Sequence, residues 1–345
     1  MEKFNIFITG GAGFIGCNSA DRFLTGGHPV TIYDNFTRRG GEANLAWLQE
    51  QHGSEQLNVI RADIRDYDRL AEAMAAANPS AVLHLAGQVA VTQSVIDPRE
   101  DFDVNALGTF NLLEAVRHHA PGAAVLYAST NKVYGGMEEV GIIQSGERYV
   151  YADHPYGIPE EYPLDFHSPY GCSKGAGDQY TRDYARMYGL KTLVLRQSCI
   201  YGQRQFGVED QGWVAHFVIA TVLGRPISIY GDGMQVRDVL HIDDLIDAYR
   251  LGIDRIDELS GEVINLGGGP DNTLSIWAEF GSLLEELSGL PVPVTYGPWR
   301  PGDQRVFVAD IRRAGELLGW RPLVSPQEGI RRLYEWVASN PELFT

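Results

Sequence analysis

Tyr170 and Lys174 stand four residues apart in Tyr170-Gly171-Cys172-Ser173-Lys174. On a helix that spacing puts phenol and ammonium on one face. A lysine charge beside a phenol favours the phenolate and lowers its pKa. A group that ordinarily titrates at about 10 then becomes a base usable at neutral pH. The Tyr-x-x-x-Lys spacing is cheap, and most instances are solvated helix faces; it gains weight here from a glycine motif upstream. Ser129 and Thr130 close an apolar run. Their hydroxyls could bond a reacting oxygen, or simply end a strand in a local turn.

The upstream motif is Thr9-Gly10-Gly11-Ala12-Gly13-Phe14-Ile15-Gly16, which follows the first apolar run and opens an amphipathic stretch. Gly10 permits a tight turn, Gly13 lets the backbone approach a pyrophosphate, and Gly16 lets helix pack close to strand. The helix N-terminus then offers free N–H groups to phosphates. Asp34 ends the second apolar run, where an acid accepts hydrogen bonds from the adenosine ribose and disfavours a 2′-phosphate. NAD is therefore expected over NADP, although Arg38 and Arg39 follow closely. Asn35 and Arg38 join the expected cofactor set. Asp63 could reach the adenine, or cap the helix expected over 66–77.

These residues need elements to hold them. Apolar runs at Phe4–Thr9, Pro29–Tyr33, Asn58–Ile60, Ala81–Leu85 and Ala123–Tyr127 alternate with helix-like stretches near 14–26, 41–52, 66–77 and 99–119. This alternation predicts an α/β fold, a doubly wound parallel-sheet Rossmann domain. The runs are continuously apolar, as strands covered on both faces should be. A helix over 168–188 leads to a strand at Lys191–Leu195. Residues 135–166 break the rhythm and read as a long ordered loop of functional kind. The expected division is a dinucleotide-binding domain over 1–200, with a return near 236–268. A smaller C-terminal α/β substrate lobe over 201–345 completes it.

The chain has 345 residues, 28 basic against 45 acidic, and a formal net charge of −17. That balance argues against a nucleic-acid surface or a polybasic membrane patch, but not against an anionic small molecule. Three cysteines at 17, 172 and 199 are too scattered for a disulfide framework or zinc cluster. No metal is expected, since no His/Cys/Asp group has ligand spacing. The N-terminal stretch lacks the features of a signal peptide, and no apolar run is long enough to span a bilayer. A cytoplasmic setting is expected.

Several strings together resemble the extended short-chain dehydrogenase/reductases, and in particular the NAD-dependent epimerase/dehydratase family. They are TGGAGFIG at 9–16, HLAGQ at 84–88, STNKVYG at 129–135, YGCSK at 170–174 and GDGMQVRDVLHIDD at 231–244, with Asp34, Asp63 and Asn105. The resemblance implies Thr130 as catalytic hydroxyl, Tyr170 as base and Lys174 as its helper. It extends the cofactor contacts to Gly10, Gly13, Phe14, Ile15, Gly16, Asp34, Asp63, Ile64, Leu85, Ala86, Gln88, Asn105 and Ser129, beside Tyr170 and Lys174. Dehydratases of the family carry Asp-Glu after the hydroxyl; Asn131-Lys132 stands here, so water elimination is not expected. Residues 163–180 and 196–217 resemble the branch that inverts C2 of CDP-paratose and CDP-tyvelose by transient oxidation with bound NAD. The alternative is a 4-epimerase of a UDP-hexose using the same residues. Family members pair through a helical bundle and relatives of this branch form tetramers, so a homo-oligomer is expected.

A nucleotide-diphosphate sugar needs its own ligands. Arg204, Arg237 and Arg305 are candidates for the diphosphate, because guanidinium forks match phosphate geometry. The resemblance makes Arg237 the strongest of them and puts Cys199 at a diphosphate contact where many members carry Asn. Gln211 and Trp213 could hold base or sugar, Trp213 either stacking or packing in the core. Gln88, Thr130 and Asn131 suit sugar hydroxyls.

Overall fold

The protein is described by a computed structural model over residues 4–300 and 303–344. Its chain forms two compact units. The first comprises Met1–Val133, Phe166–Arg196 and Ile246–Ile264. Its strands are β1 (Ile6–Thr9), β2 (Val30–Asp34), β3 (Leu57–Arg61), β4 (Ala81–His84), β5 (Ala124–Thr130), β6 (Lys191–Gln197) and β7 (Glu262–Leu266). They make one sheet in the order β7-β6-β5-β4-β1-β2-β3. The pairings among β1 to β5 are parallel, with Thr9 opposite both Tyr33 and His84, and His84 opposite Tyr127. The ends of these strands therefore lie side by side. Every residue of β1 and β4 is buried, which is why their sequences run apolar without alternation.

Helices α1 (Phe14–Thr25), α2 (Gly41–His52) and α3 (Tyr67–Ala77) follow the first three strands. A short α4 (Val91–Ile96), which the sequence pattern did not show, precedes α5 (Pro98–Phe102). The single helix expected over 99–119 is α5, a π-helical turn at Asp103–Leu107, and α6 (Gly108–His119). α7 (Ser168–Tyr188) carries Tyr170 and Lys174. Pro169 sits in its first turn, and it ends at left-handed Gly189 (φ 69°), whose N–H bonds Ala185. Pro near a helix start and Gly past its end are the preferred start and stop signals.

The second unit comprises Tyr134–Asp165, Gln197–Leu245 and Asn265–Thr345. Its central strand, Val236–His241, pairs with Thr273–Ser275, Val306–Phe307 and Cys199–Tyr201. Strand Ile227–Tyr230 pairs with Val294–Gly297. A core of Phe217, Ile219, Phe280, Leu284 and Leu333 lies among the helices Trp213–Val222, Phe280–Ser288 and Pro326–Ser339. Asp238, fully buried, accepts from Ser198 Oγ, from the Gly269 N–H at 3.3 Å and from the Ala309 N–H at 3.2 Å. One carboxyl thus ties three chain segments; burial pushes its pKa up to about 6.

The division differs from a cut near residue 200. Residues 134–165 and 197–200 belong to the second unit, and the return to the first spans 246–264. The segment read as a loop over 135–166 contains an antiparallel hairpin, Ile142–Ser145 with Arg148–Tyr151. Its turn is made by Gly146 (φ 64°). The β-branched and aromatic residues on either side were the available signal.

Candidate active site

The turn after β1 is shaped for close contact. Gly10 has φ 69°, and a Cβ there would lie 2.7 Å from the Ala86 nitrogen; one on Gly16 would lie 2.3 Å from the Gly10 oxygen. Side chains are excluded at both places, so α1 sits tight against the turn. Gly13 caps α1 without a side-chain bond, and no acid stands in the first turn, where Phe14 and Ile15 lie. Uncapped N–H groups and a positive helix end are what a pyrophosphate requires.

Asp34, at the end of β2, accepts from the Ala12 N–H at 3.0 Å and the Phe36 N–H at 2.7 Å. A carboxylate accepts more than two bonds, so ribose hydroxyls can still be received. Asp63 accepts from Asn35 Nδ2 at 2.8 Å and from the Arg65 guanidinium at 2.8 Å, and Arg65 holds its carboxyl far below the usual range. The cap of α3 is Asp66, which accepts from the Arg69 N–H, so the capping alternative for Asp63 is set aside. Asp34, Asn35 and Asp63 form one edge suited to an adenosine. The glycine cradle, the uncapped helix end and this acidic edge fit NAD. Leu85 and Ala86 follow β4, and Ala86 rests against Gly10. Ile64 is buried against Gly108, leaving its backbone as its means of contact.

At the end of β5, Thr130 meets Tyr170. The phenol is 7% exposed. Burial pushes its pKa up to about 12, Asp101 adds to the rise, and a hydrogen bond with Thr130 and the charge of Arg38 oppose it. Lys174 is equally buried, and burial brings its ammonium down to about 7, with Asp178 and Asp101 opposing that loss of charge. Its Nζ donates to the Ala128 carbonyl at 2.6 Å and lies 4.3 Å from the centre of the Tyr127 ring. His84, held between Thr9 Oγ1 and Thr109 Oγ1, is driven by burial to about 3 and stays neutral. It is not an acid–base group.

Several expected ligands prove to be committed within the protein. Asn105 is buried; its amide donates to the Gln88 carbonyl and to Ser173 Oγ and accepts from the Gln88 N–H. It clips two segments together. Gln88 donates to the Ala90 carbonyl and to Asp101 and accepts from the Ala90 N–H. Both its N–H groups are engaged within the protein. Ser129 gives its proton to Asp178 at 2.7 Å. Asn131 and Lys132 form the 3₁₀ turn directly after Thr130, and no carboxylate stands in either place.

In the second unit, Arg237 is buried and bonds Asp303 at 2.7 Å and the Gln304 carbonyl at 2.6 Å. Arg305 is exposed, 5.2 Å from the Tyr149 ring and 5.5 Å from that of Trp299. Arg204 lies 5.5 Å from the Trp336 ring. Gln211 bridges Val208 through its backbone. Trp213 donates to Cys199 Sγ at 3.5 Å and meets the Phe280 and Phe217 rings edge-on. These contacts pack Trp213 against the core of the second unit.

Sequence reasoning missed three groups around α7. Asp178 and Arg196 form a fully buried pair with contacts of 3.0 and 3.1 Å. Ser94 Oγ accepts the Tyr170 N–H. Asp101, on α5, accepts from Ser173 Oγ. Arg196, a charge inside an apolar strand run, was a legible signal; Asp101, in a polar stretch, gave none.

A family model described as GDP-mannose 4,6 dehydratase matches residues 7–333. The CDP-paratose 2-epimerase of Salmonella typhi is 42% identical over 339 residues, covering 97% of this chain and 99% of that protein. The UDP-glucose 4-epimerase of Thermotoga maritima, solved with UDP-glucose, superposes with a TM-score of 0.82 at 30% identity, covering 97% of this chain and 99% of that one. That of Thermus thermophilus, in complex with NAD, gives 0.78 at 32%, covering 96% and 98%. With matches spanning nearly its whole length, the chain belongs to the NAD-dependent epimerase/dehydratase family of enzymes.

Proposed function

We propose that the protein is a nucleotide-sugar 2-epimerase acting on CDP-paratose and CDP-tyvelose or a close analogue. One observation carries the reading: Thr130, Tyr170 and a buried Lys174 gather at the end of β5, in a sheet whose first turn fits a dinucleotide. The 42% identity to a 2-epimerase, against 30% and 32% to the two 4-epimerases, supports inversion at C2.

When bound, NAD⁺ supplies a hydride acceptor that also returns the hydride, and a positive charge beside the phenol. The chain's residues do the rest. Tyr170 Oη takes the proton of the C2 hydroxyl and gives it back after the sugar has turned. The Thr130 hydroxyl holds the reacting oxygen, and the Lys174 charge favours the phenolate. Asn131-Lys132 offers no carboxylate pair for acid and base at an eliminated water, which supports epimerisation over the dehydration named by the family model. Arg204, Arg237 and Arg305 are assigned to the diphosphate, with Cys199 and Gln211 near the nucleotide and Asn131 on a sugar hydroxyl. The first unit takes the cofactor and the second the nucleotide.

We infer further that the protein is a homo-oligomer. Phe102, Phe110 and Tyr180 are 54%, 38% and 48% exposed on α5, α6 and α7, and the last two rings touch at 5.8 Å. An apolar patch on packed helices suits a second copy. The activity is tested by incubating the enzyme with CDP-paratose, CDP-glucose, UDP-glucose and GDP-mannose and reading products by NMR. CDP-paratose is expected to invert at C2. Inversion of UDP-glucose at C4 without reaction of either CDP-sugar would replace the reading with the 4-epimerase.

A further inference from the structure

Asp101 lies on α5, away from every motif that marks the site, yet it is 1% exposed. One oxygen, Oδ1, accepts from Gln88 Nε2 at 2.9 Å and Asn105 Nδ2 at 3.2 Å. The other accepts from Ser173 Oγ. Ser173 stands between Tyr170 and Lys174 on α7, and its hydroxyl also accepts from Asn105 Nδ2 at 3.1 Å. A single carboxylate therefore gathers the segment after β4, the π turn and the N-terminal third of the catalytic helix. We propose that Asp101 is a positioning residue for the epimerisation, holding α7 through Ser173 while placing its carboxylate beside both Tyr170 and Lys174. The proposal rests on the assignment of Tyr170 as base.

That charge acts on both groups in the same sense. It raises the phenol and it raises the ammonium. The other charged groups facing them are Arg38 at Tyr170, Asp178 at Lys174 and, through Asp178, Arg196. Neutral His84 and Tyr127 complete the surroundings of Lys174. Asp103 on the neighbouring turn pairs with exposed Arg99. Removing Asp101's charge makes the phenol easier to ionise and the ammonium easier to lose, so both limbs of the pH profile must move to lower pH. A purely structural carboxylate would change the rate and leave the limbs in place.

The test is kcat and kcat/KM against pH for NAD-loaded wild type, Asp101→Asn, Asp101→Glu and Tyr170→Phe, with CDP-paratose. In Asp101→Asn both limbs of the profile, which the Tyr170 and Lys174 protons set together, are expected about one unit lower, the scale of one nearby charge in a partly polar interior. Asp101→Glu keeps the charge but displaces it. It should hold the limbs and lose roughly tenfold in kcat with little change in KM. Unmoved limbs in Asp101→Asn overturn the proposal. If that variant does not fold, wild-type kcat in Asp101→Glu overturns it instead. Full activity in Tyr170→Phe would sink the base assignment itself. A dead Tyr170→Phe with unmoved limbs in Asp101→Asn sinks only the role of Asp101.

Discussion

A phenol with a pKa near 12 does not take protons at neutral pH, and Tyr170 stands there because burial outweighs the Thr130 bond and the Arg38 charge. The base reading therefore requires an added positive charge beside the ring. This separates two properties in Tyr170→Phe. Turnover should fall by roughly two to four powers of ten, the usual contribution of a placed base, while NAD still copurifies, since the glycine cradle and Asp34 are untouched. Loss of bound cofactor or of the folded state in that variant would make Tyr170 structural. At this scale the sequence was informative where chemistry follows spacing: Gly10, Gly13, Gly16, Asp34, Thr130, Tyr170 and Lys174 lie where their motifs put them. It was uninformative where a side chain's partner is distant in the chain. Nothing local to Asn105 or Gln88 shows that the Asn105 amide clips the Gln88 backbone or that both side chains bond Asp101.

Elements were legible to the extent that their burial is regular. β1 and β4, buried on both faces, announce themselves as apolar runs, and α7 carries its own stop in Gly189. The hairpin over 142–151 was lost because its strands are short and partly exposed. The strand Val236–His241 hides a charged node, Asp238, whose removal has a pH signature. In the unfolded chain an aspartate loses its proton at about 3.9; in the fold Asp238 keeps it to about 6. Between those values the unfolded state ionises first, so this group subtracts stability as pH rises through the window, and the loss is constant above it. The melting temperature of Asp238→Asn should therefore decline less than that of wild type between about pH 4 and 6. Parallel profiles would show that the carboxyl is not held protonated there.

The two-unit organisation follows from chain path. Residues 134–165 leave the first unit after Val133 and return at Phe166, and Ile246–Ile264 rejoin it from the second unit; composition alone cannot show such returns. The apolar patch on α5, α6 and α7 predicts association. Phe110→Glu with Tyr180→Glu should convert the oligomer to monomer in light scattering, and an unchanged mass would place the interface elsewhere. Among the described residues, no helix is long and apolar enough to cross a membrane. Under the proposed function one sugar carbon is oxidised and reduced again inside the protein, with Tyr170 moving only a hydroxyl proton. Conversion of CDP-paratose in deuterated water distinguishes this route from deprotonation at carbon. NMR and mass spectrometry should show inverted C2 with no deuterium bound to that carbon. Solvent deuterium on C2 of the product would mean that the carbon itself had been deprotonated, and would contradict the account.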